Sequence, residues 1–347
     1  MKAFIFSGFN PRAVVAVCRK LKEYGLQASI ISLRDEDEIL KGPYRKWVVQ
    51  RFEKASLTIE FILNSVQKWR DEDEDIFLFP TTEFLNRILI ANEIKLKSQG
   101  IRVGLPRKSV YEQLSDKQAF LRLCQKHGLS VPKEWGQWSD AEVPCVIKPK
   151  KYVSSGGQIE KPFLVFSRFS GQQYLLSRDS NDYILQQYIS GESFYLLLHR
   201  SRLGSVRYGG QKNLLQQTQG GSILRAVSVN FSEKQVVSRI CNLLSDIDFF
   251  GLCMIEFRVQ GQKWFVIEAN PRPWGPLQLT IDSGMGLVDS FLLDNHLIGK
   301  VVESEFLPGV GYEWAGGFGN DDVRLAELPT NFEKEVVEIY QKRTIDE

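Results

Sequence analysis

The order of two strand patterns constrains the fold of this chain most strongly. Over the first hundred residues, short apolar strands alternate with helices, which is typical of a parallel sheet. From Val143 onward, strands follow one another across turns, which is typical of antiparallel sheets. Because 347 residues exceed the length of one ordinary domain, the two patterns predict separate domains.

We predict an N-terminal α/β domain with a parallel sheet, followed by an α+β unit of two subdomains. The N-terminal domain spans residues 1–108. The first subdomain, 109–190, begins with helices, and the second, 191–315, carries most of the polar sites. Residues 316–347 are predicted to form a tail with one helix.

Two loops of the N-terminal domain directly follow apolar strands, at residues 7–10 and 81–83. Ligands of parallel sheets usually bind beyond the carboxyl ends of the strands, so these loops are candidate substrate contacts. The first loop lacks the G-x-G-x-x-G pattern of dinucleotide sites. Asn10 is predicted to cap the helix that begins at Pro11. Glu83 could receive a substrate amine or cap the next helix, and we favour the second interpretation.

Composition excludes several classes of partner. Lys and Arg number 44 against 42 Asp and Glu, whereas non-specific nucleic-acid binders carry a large positive excess. The longest apolar run is far shorter than a membrane span. Five cysteines without a C-x-x-C pair indicate reduced thiols. We therefore expect a cytoplasmic protein that binds neither nucleic acid nor membranes.

The most informative segment is a predicted hairpin with acidic residues on both strands. Glu268 and Asn270 are two residues apart and share one face of a strand, and the turn at 260–262 brings Glu256 opposite Glu268. Carboxylate and amide oxygens at this spacing suit Mg²⁺, which also binds substrate phosphates. The alternative is that these side chains pair with lysines or face water.

Two lysines precede this hairpin in positions that suggest the binding of an anion. Lys148 ends an apolar strand, where a charged group needs a partner, and Gly156 and Gly157 follow it. Lys117 lies in the first turn of a helix that we predict to begin at a Ser115 cap, where a cation opposes the helix dipole. Taken singly, Lys117 could be a solvated lysine and the glycine pair a hairpin tip.

Five motifs in a fixed order resemble the ATP-grasp superfamily, in its branch of predicted carboxylate–amine ligases, which is similar to carbamoyl-phosphate synthetase. The motifs are Asp116–Lys117, Val146–Pro149, Gln186–Glu192, Ile255–Phe257 and Glu268–Arg272. The resemblance covers about residues 109–294, and the first hundred residues resemble the parallel domain that usually precedes this fold.

The resemblance implies a complete nucleotide and metal site. The residues implied to contact ATP phosphates are Lys117, Lys148, Lys212, Ser154, Ser155, Gly156 and Gly157. Those implied to read the adenine edge are Gln186, Gln187, Tyr188 and Ile189, and Glu192 would hold the ribose. Glu256, Glu268 and Asn270 would hold one or two Mg²⁺ ions, with Mn²⁺ as the alternative.

The resemblance also implies a reaction. The catalytic charges would come from Arg272, near an acyl-phosphate, and from Lys212, near the transferred phosphoryl group. Substrate contacts are implied at Ser222 and Arg225. The expected enzyme joins a small carboxylate, such as that of an amino acid, to an amine through an acyl-phosphate and releases ADP and phosphate. Many relatives are homodimers, so a homodimer is a further expectation.

Two alternatives stay open at this stage. Related enzymes phosphorylate bicarbonate, which leads to carboxylation or carbamoyl transfer. A protein that only senses ATP would keep the adenine-reading strand and lose the metal ligands. Because Glu256, Glu268, Asn270 and Arg272 are all present, the sequence favours catalysis.

Overall fold

The computed structural model describes residues 1–34, 37–71, 74–150, 162–176, 178–217, 222–314 and 317. These residues form three sheets, one parallel and two antiparallel. Strands and helices alternate in the parallel part, as the sequence predicts.

The N-terminal part is a five-stranded parallel sheet in the order β3-β2-β1-β4-β5. Its strands are β1 Lys2–Phe6, β2 Ala28–Leu33, β3 Val48–Phe52, β4 Ile76–Leu78 and β5 Ile101–Val103. Its helices are α1 Pro11–Glu23, α2 Ile59–Trp69, α3 Glu83–Ala91 and α4 Glu93–Ser98, with 3₁₀ turns at Glu38–Lys41, Pro43–Trp47 and Lys54–Ser56. Alternate residues of β1 pack into two different cores, as expected for a parallel sheet covered on both faces.

Two helices lead into a small antiparallel sheet of order β6-β9-β7-β8. The helices are α5 Lys108–Ser115 and α6 Lys117–Lys126. The strands are β6 Glu134–Trp135, β7 Cys145–Pro149, β8 Phe163–Val165 and β9 Tyr183–Gln187. This part also contains α7 Arg168–Leu176 and 3₁₀ turns at Trp138–Asp140 and Ser180–Asp182.

The large antiparallel sheet has the order β14-β13-β10-β11-β12-β15. Its strands are β10 Glu192–Arg200, β11 Val206–Gln216, β12 Ile223–Val229, β13 Gly251–Gln260, β14 Lys263–Asn270 and β15 Gly311–Glu313. The accompanying helices are α8 Lys234–Asp246, α9 Leu277–Asp282 and α10 Leu287–Asp294.

The large sheet has two faces with different neighbours. One face, including Leu196, Ile255 and Phe257, packs in a core with side chains of α6 and α8. The other face, including Tyr195 and Met254, packs in the core that α1, α9 and α10 share with the parallel sheet. We call the second face the inner face, because it lies toward the N-terminal part.

Three predicted helix caps were wrong. At α3 the cap is Thr82 rather than Glu83, and the Thr82 hydroxyl accepts a hydrogen bond from Leu85 N. Asp116, not Ser115, caps α6, and its carboxylate accepts a hydrogen bond from Ala119 N at 2.7 Å. Ser115 instead ends α5. Asn10 precedes α1, but its side chain makes no cap and donates instead to two carbonyls described below.

Further sequence predictions concern the C-terminal tail, the domain boundaries, membrane spans and the cysteines. The tail expected at 316–347 lies outside the described residues apart from Gly317, and the domain boundaries stay predictions. No described helix has both the length and the apolar character that crossing a membrane requires. All five cysteines are free thiols.

Candidate active site

The predicted acidic hairpin is confirmed in register. Glu256 on β13 lies directly opposite Glu268 on β14, and Tyr195 of β10 is the next partner across the sheet from Glu256. Glu256 is only 8% exposed. Two carboxylates therefore face each other on the inner face, where little water reaches them.

The surrounding charges give the two carboxyl groups different pKa values. Burial and the neighbouring Glu268 carboxylate raise the pKa of Glu256. Burial acts on Glu268 in the same direction, but the charges of Lys117 and Lys148 outweigh it and hold the pKa of Glu268 below its usual value. Glu268 therefore ionises before Glu256, and added positive charge would favour ionisation of both groups.

Lys148 supplies part of that charge from the small sheet. It lies in the apolar run of β7, is 7% exposed, and donates from Nζ to Gln186 Oε1 at 2.8 Å. Burial lowers the pKa of Lys148, although Glu268 and Glu256 act in the opposite direction. Gln186 is 1% exposed, and its amide nitrogen has no partner among the described residues. The Lys148 ammonium and the Gln186 amide therefore both have hydrogen-bond donors left for a ligand in the space that they line.

That space is a cavity of about 300 Å³ between the small and large sheets. It is lined by Val146, Lys148, Pro162, Leu164, Gln186, Gln187, Tyr188, Ile189, Gln216, Gln217, Glu256, Arg258, Ile267 and Glu268. Gln187 N donates to Lys133 O at 2.8 Å, whereas the backbone groups of Tyr188 and Ile189 make no hydrogen bond to other described backbone groups. The backbone groups of Tyr188 and Ile189 would be able to form hydrogen bonds with a planar, mostly apolar ligand.

A chain of hydrogen bonds leads from the carboxylates toward the N-terminal part. Asn270 Nδ2 donates to Glu268 Oε1 at 2.9 Å, and an Arg272 NH donates to Asn270 Oδ1 at 3.0 Å. Asn10, in the predicted loop after β1, donates to Pro273 O at 3.3 Å and to Thr81 O at 3.2 Å. The carboxyl ends of β1 and β4 therefore meet the segment that follows the acidic hairpin.

Lys117 is linked to the site through its charge. It is the first residue of α6 and is half-buried. Its charge acts on both Glu268 and Lys148. Lys117 is not among the residues that line the cavity, and its contact with ATP phosphates stays a prediction.

Two predicted residues do not join this cluster. Lys212 lies opposite Phe194 in the sheet register, and Glu192 is two residues from Phe194 on the same strand. Because side chains alternate between faces, both point away from the inner face that carries Glu256. They form an ion pair with each other, so the structure brings together neither a ribose ligand at Glu192 nor a phosphoryl contact at Lys212.

The predicted substrate residues are held by protein partners. Glu83 begins α3 and pairs with Arg87 at 2.8 Å, while Thr82 is the cap. Arg225 is buried and forms an ion pair with Glu313. Ser222 donates its backbone N–H to Gln217 Oε1 at 3.1 Å. Ser154, Ser155, Gly156 and Gly157 lie outside the described residues.

Sequence reasoning missed three polar residues of the cavity, Arg258, Gln216 and Gln217. Arg258 lies two residues beyond Glu256 on β13, so alternation alone could have placed it on the same face. Gln216 reaches the cavity through register shifts between Asn213 and Gln216. No sequence signal marks such a bulge.

The residues present fit a divalent cation. Among the described residues, no three His, Cys, Asp or Glu side chains gather as a metal-binding group. The third protein oxygen would therefore be Asn270 Oδ1, which in this structure accepts from Arg272 and would have to turn toward Glu256 and Glu268. Their facing carboxylates repel each other, and a bound cation would remove that repulsion. Two carboxylates and one amide oxygen leave coordination positions for phosphate and water, which suits Mg²⁺.

Comparison with known proteins places the fold. The chain is 17% identical to a biotin carboxylase from Campylobacter jejuni solved as a β-γ-ATP complex, with TM-score 0.66 over 89% of this chain and 74% of that one. It is 15% identical to N5-carboxyaminoimidazole ribonucleotide synthetase from Thermus thermophilus, with TM-score 0.64 over 89% and 81%.

A third similar structure is the biotin carboxylase domain dimer of the Hydrogenobacter thermophilus 2-oxoglutarate carboxylase. It was solved with ADP, magnesium and bicarbonate, and matches at 15% identity with TM-score 0.63 over 88% and 71%. No protein-family model matches the sequence, and no curated protein does. The structure therefore has the fold of ATP-grasp enzymes, as the motifs predict.

Proposed function

We propose that the protein is an ATP-dependent ligase that joins a carboxylate to an amine through an acyl-phosphate. One observation carries the proposal: Lys148, Glu256 and Glu268 line a single cavity with residues 186–189, the segment that we propose to contact the adenine edge. The cavity volume of about 300 Å³ lies at the lower end of the range for small-molecule sites. The three similar structures, two of them nucleotide complexes, support the ATP-dependent part of this assignment.

The proposed chemistry needs mainly position and positive charge. A substrate carboxylate oxygen attacks the γ-phosphorus of ATP and ADP leaves; the amine then attacks the acyl carbon, loses a proton, and phosphate leaves. Lys148 and Lys117 neutralise the phosphates while the second anion approaches. Mg²⁺ held by Glu256, Glu268 and Asn270 would supply further charge neutralisation at the phosphates.

Arg272 is the proposed contact for the carboxylate. Its guanidinium is oriented by Asn270 Oδ1 and by Pro273 O, both at 3.0 Å. It lies between the acidic hairpin and the loops of the parallel sheet, where substrates of this architecture would enter. The proposal gives no role to Glu192 or Lys212, because they pair with each other on the opposite face.

Bicarbonate phosphorylation is the second candidate. Two of the similar structures are biotin carboxylases, and one of them was solved with bicarbonate. Bicarbonate is itself a carboxylate-like acceptor of the γ-phosphoryl group, so the same cavity would serve. ADP release that depends on bicarbonate and not on an added carboxylate would identify this reaction.

The test of the site is Glu268→Gln. We expect Mg²⁺-ATP turnover with pooled carboxylates and amines to fall about a hundredfold, since a metal ligand is lost. ADP binding in EDTA and the circular dichroism spectrum should stay near those of the wild type. Glu303→Gln, which alters an exposed carboxylate paired with Arg207, is the matched control. Unchanged turnover in Glu268→Gln would overturn the metal assignment.

A further inference from the structure

Arg258 occupies an unexpected place in the cavity. It follows Glu256 by two residues on β13 and lies opposite Ser193 on β10, so its side chain is on the inner face. Together with Gln216 it lines the same cavity as the acidic pair and the apolar side chains of Val146, Leu164 and Ile267. A guanidinium is costly to place beside apolar side chains unless it has partners.

Its present contacts are one hydrogen bond of ordinary length and two long contacts. Nε lies 3.5 Å from Glu256 Oε1, an NH donates to Gln216 Oε1 at 3.0 Å, and another NH lies 3.5 Å from Gly191 O. The side chain is still 28% exposed. The contacts to Glu256 and Gly191 are long and the group is partly exposed, so the guanidinium can exchange these two partners at little cost.

The charges around Glu256 determine which partner Arg258 prefers. Arg258 offsets the repulsion between Glu256 and Glu268 in the protein alone. A divalent cation bound to the same carboxylates would do so more strongly, and it would repel the guanidinium. Phosphate and sugar oxygens of a nucleotide in the cavity would then be the acceptors within reach, and a guanidinium binds such oxygens well.

The inference rests on the proposed function. We propose that Arg258 is a nucleotide-binding residue that also acts as the counter-ion of Glu256, so that the binding of metal and nucleotide releases it from that carboxylate. With Glu192 on the opposite face, Arg258 takes the place expected for a sugar or phosphate contact. The residue therefore strengthens nucleotide binding and weakens the binding of metal alone.

The test uses Arg258→Met, which keeps the length of the side chain and removes its charge. ADP affinity, measured by calorimetry in saturating Mg²⁺, should fall about tenfold. Affinity for Mn²⁺ without nucleotide, measured by electron paramagnetic resonance, should rise about threefold. Arg258→Lys keeps the charge without the planar fork, so Mn²⁺ affinity should return to the wild-type value while ADP affinity recovers only in part.

The matched control is Arg207→Met, which removes an arginine paired with Glu303 at the far end of the sheet. Both affinities should be unchanged in this variant. An unchanged ADP affinity in Arg258→Met, or an Mn²⁺ affinity that does not rise, would overturn the inference and leave the proposed function standing. A wild-type protein that binds no ADP would overturn the proposed function, and the inference with it.

Discussion

At the scale of single residues, a buried histidine links folding to pH. His199 on β10 is fully buried, and its Nδ1 lies 2.8 Å from Ser290 Oγ. Its Nε2 has no hydrogen-bond partner among the described residues. Burial, followed by the charges of Arg202 and Arg207, lowers its pKa from 6.5 to about 3.

The sign of the pH effect follows from these values. As pH falls below 6.5, the unfolded chain binds a proton at this position and the folded chain does not, so stability is lost between pH 6.5 and about 3. Between pH 7 and pH 4 we expect His199 alone to remove about 3 kcal/mol from the free energy of unfolding. Urea titrations across that range measure the total loss.

The matched variant for this prediction is His199→Asn, which cannot titrate. Its unfolding free energy should fall less steeply with acid than that of the wild type, because the contribution of His199 is lost. The carboxyl groups contribute equally to both proteins. Parallel curves for the two proteins would contradict the burial of a neutral imidazole.

Single residues also show what sequence can and cannot predict. The facing of Glu256 and Glu268 was predictable, because a short turn and strict alternation determine a hairpin register. The face of the sheet on which Glu192 and Lys212 lie was not predictable. Strand β10 is apolar on both faces over most of its length, so alternation does not reveal which face a polar neighbour shares.

At the scale of elements, the connection between β9 and β10 depends on one glycine. Gly191 has φ +141°, and a Cβ at this position would overlap the Val259 carbonyl oxygen. Gly191→Ala should cost about 3 kcal/mol of stability, since it combines backbone strain with a clash against backbone. It should also weaken ADP binding, because segment 186–189 leads directly into this turn.

A glycine at another turn provides the comparison. Gly261, at the tip of the β13–β14 hairpin, has φ +61° and no atom within 4 Å of an added Cβ. Gly261→Ala should cost only about 1 kcal/mol and leave ADP binding unchanged. Equal losses of stability in the two variants, measured by urea unfolding, would contradict the proposed packing of Gly191.

Elements were easier to predict than their ends. The strands and the hairpin follow from apolar runs between turn residues, and the parallel arrangement follows from alternation with helices. The cap of α6 is Asp116 rather than Ser115 because Ser115 belongs to α5. Asn10 donates to two distant carbonyls, and such tertiary partners outweigh a local cap that the sequence favours.

At the scale of the whole molecule, one core joins the parallel sheet to the large sheet. Ala3 and Ile5 of β1 belong to the same cluster as Tyr195, Leu197 and Met254. This packing holds the strand ends of the parallel sheet against the segment after the acidic hairpin. A substrate at those strand ends would therefore meet a nucleotide in the cavity, which is the arrangement that a ligase needs.

The central claim is that this molecule activates a carboxylate by phosphorylation. The most direct measurement is incubation with Mg²⁺-ATP, ¹⁸O-carboxylate-labelled amino acids and unlabelled amines, followed by mass spectrometry of the products. The account predicts ADP and phosphate, with ¹⁸O from the carboxylate in the phosphate, because the acyl-phosphate oxygen leaves with phosphorus. AMP and pyrophosphate, or ADP with unlabelled phosphate, would contradict it.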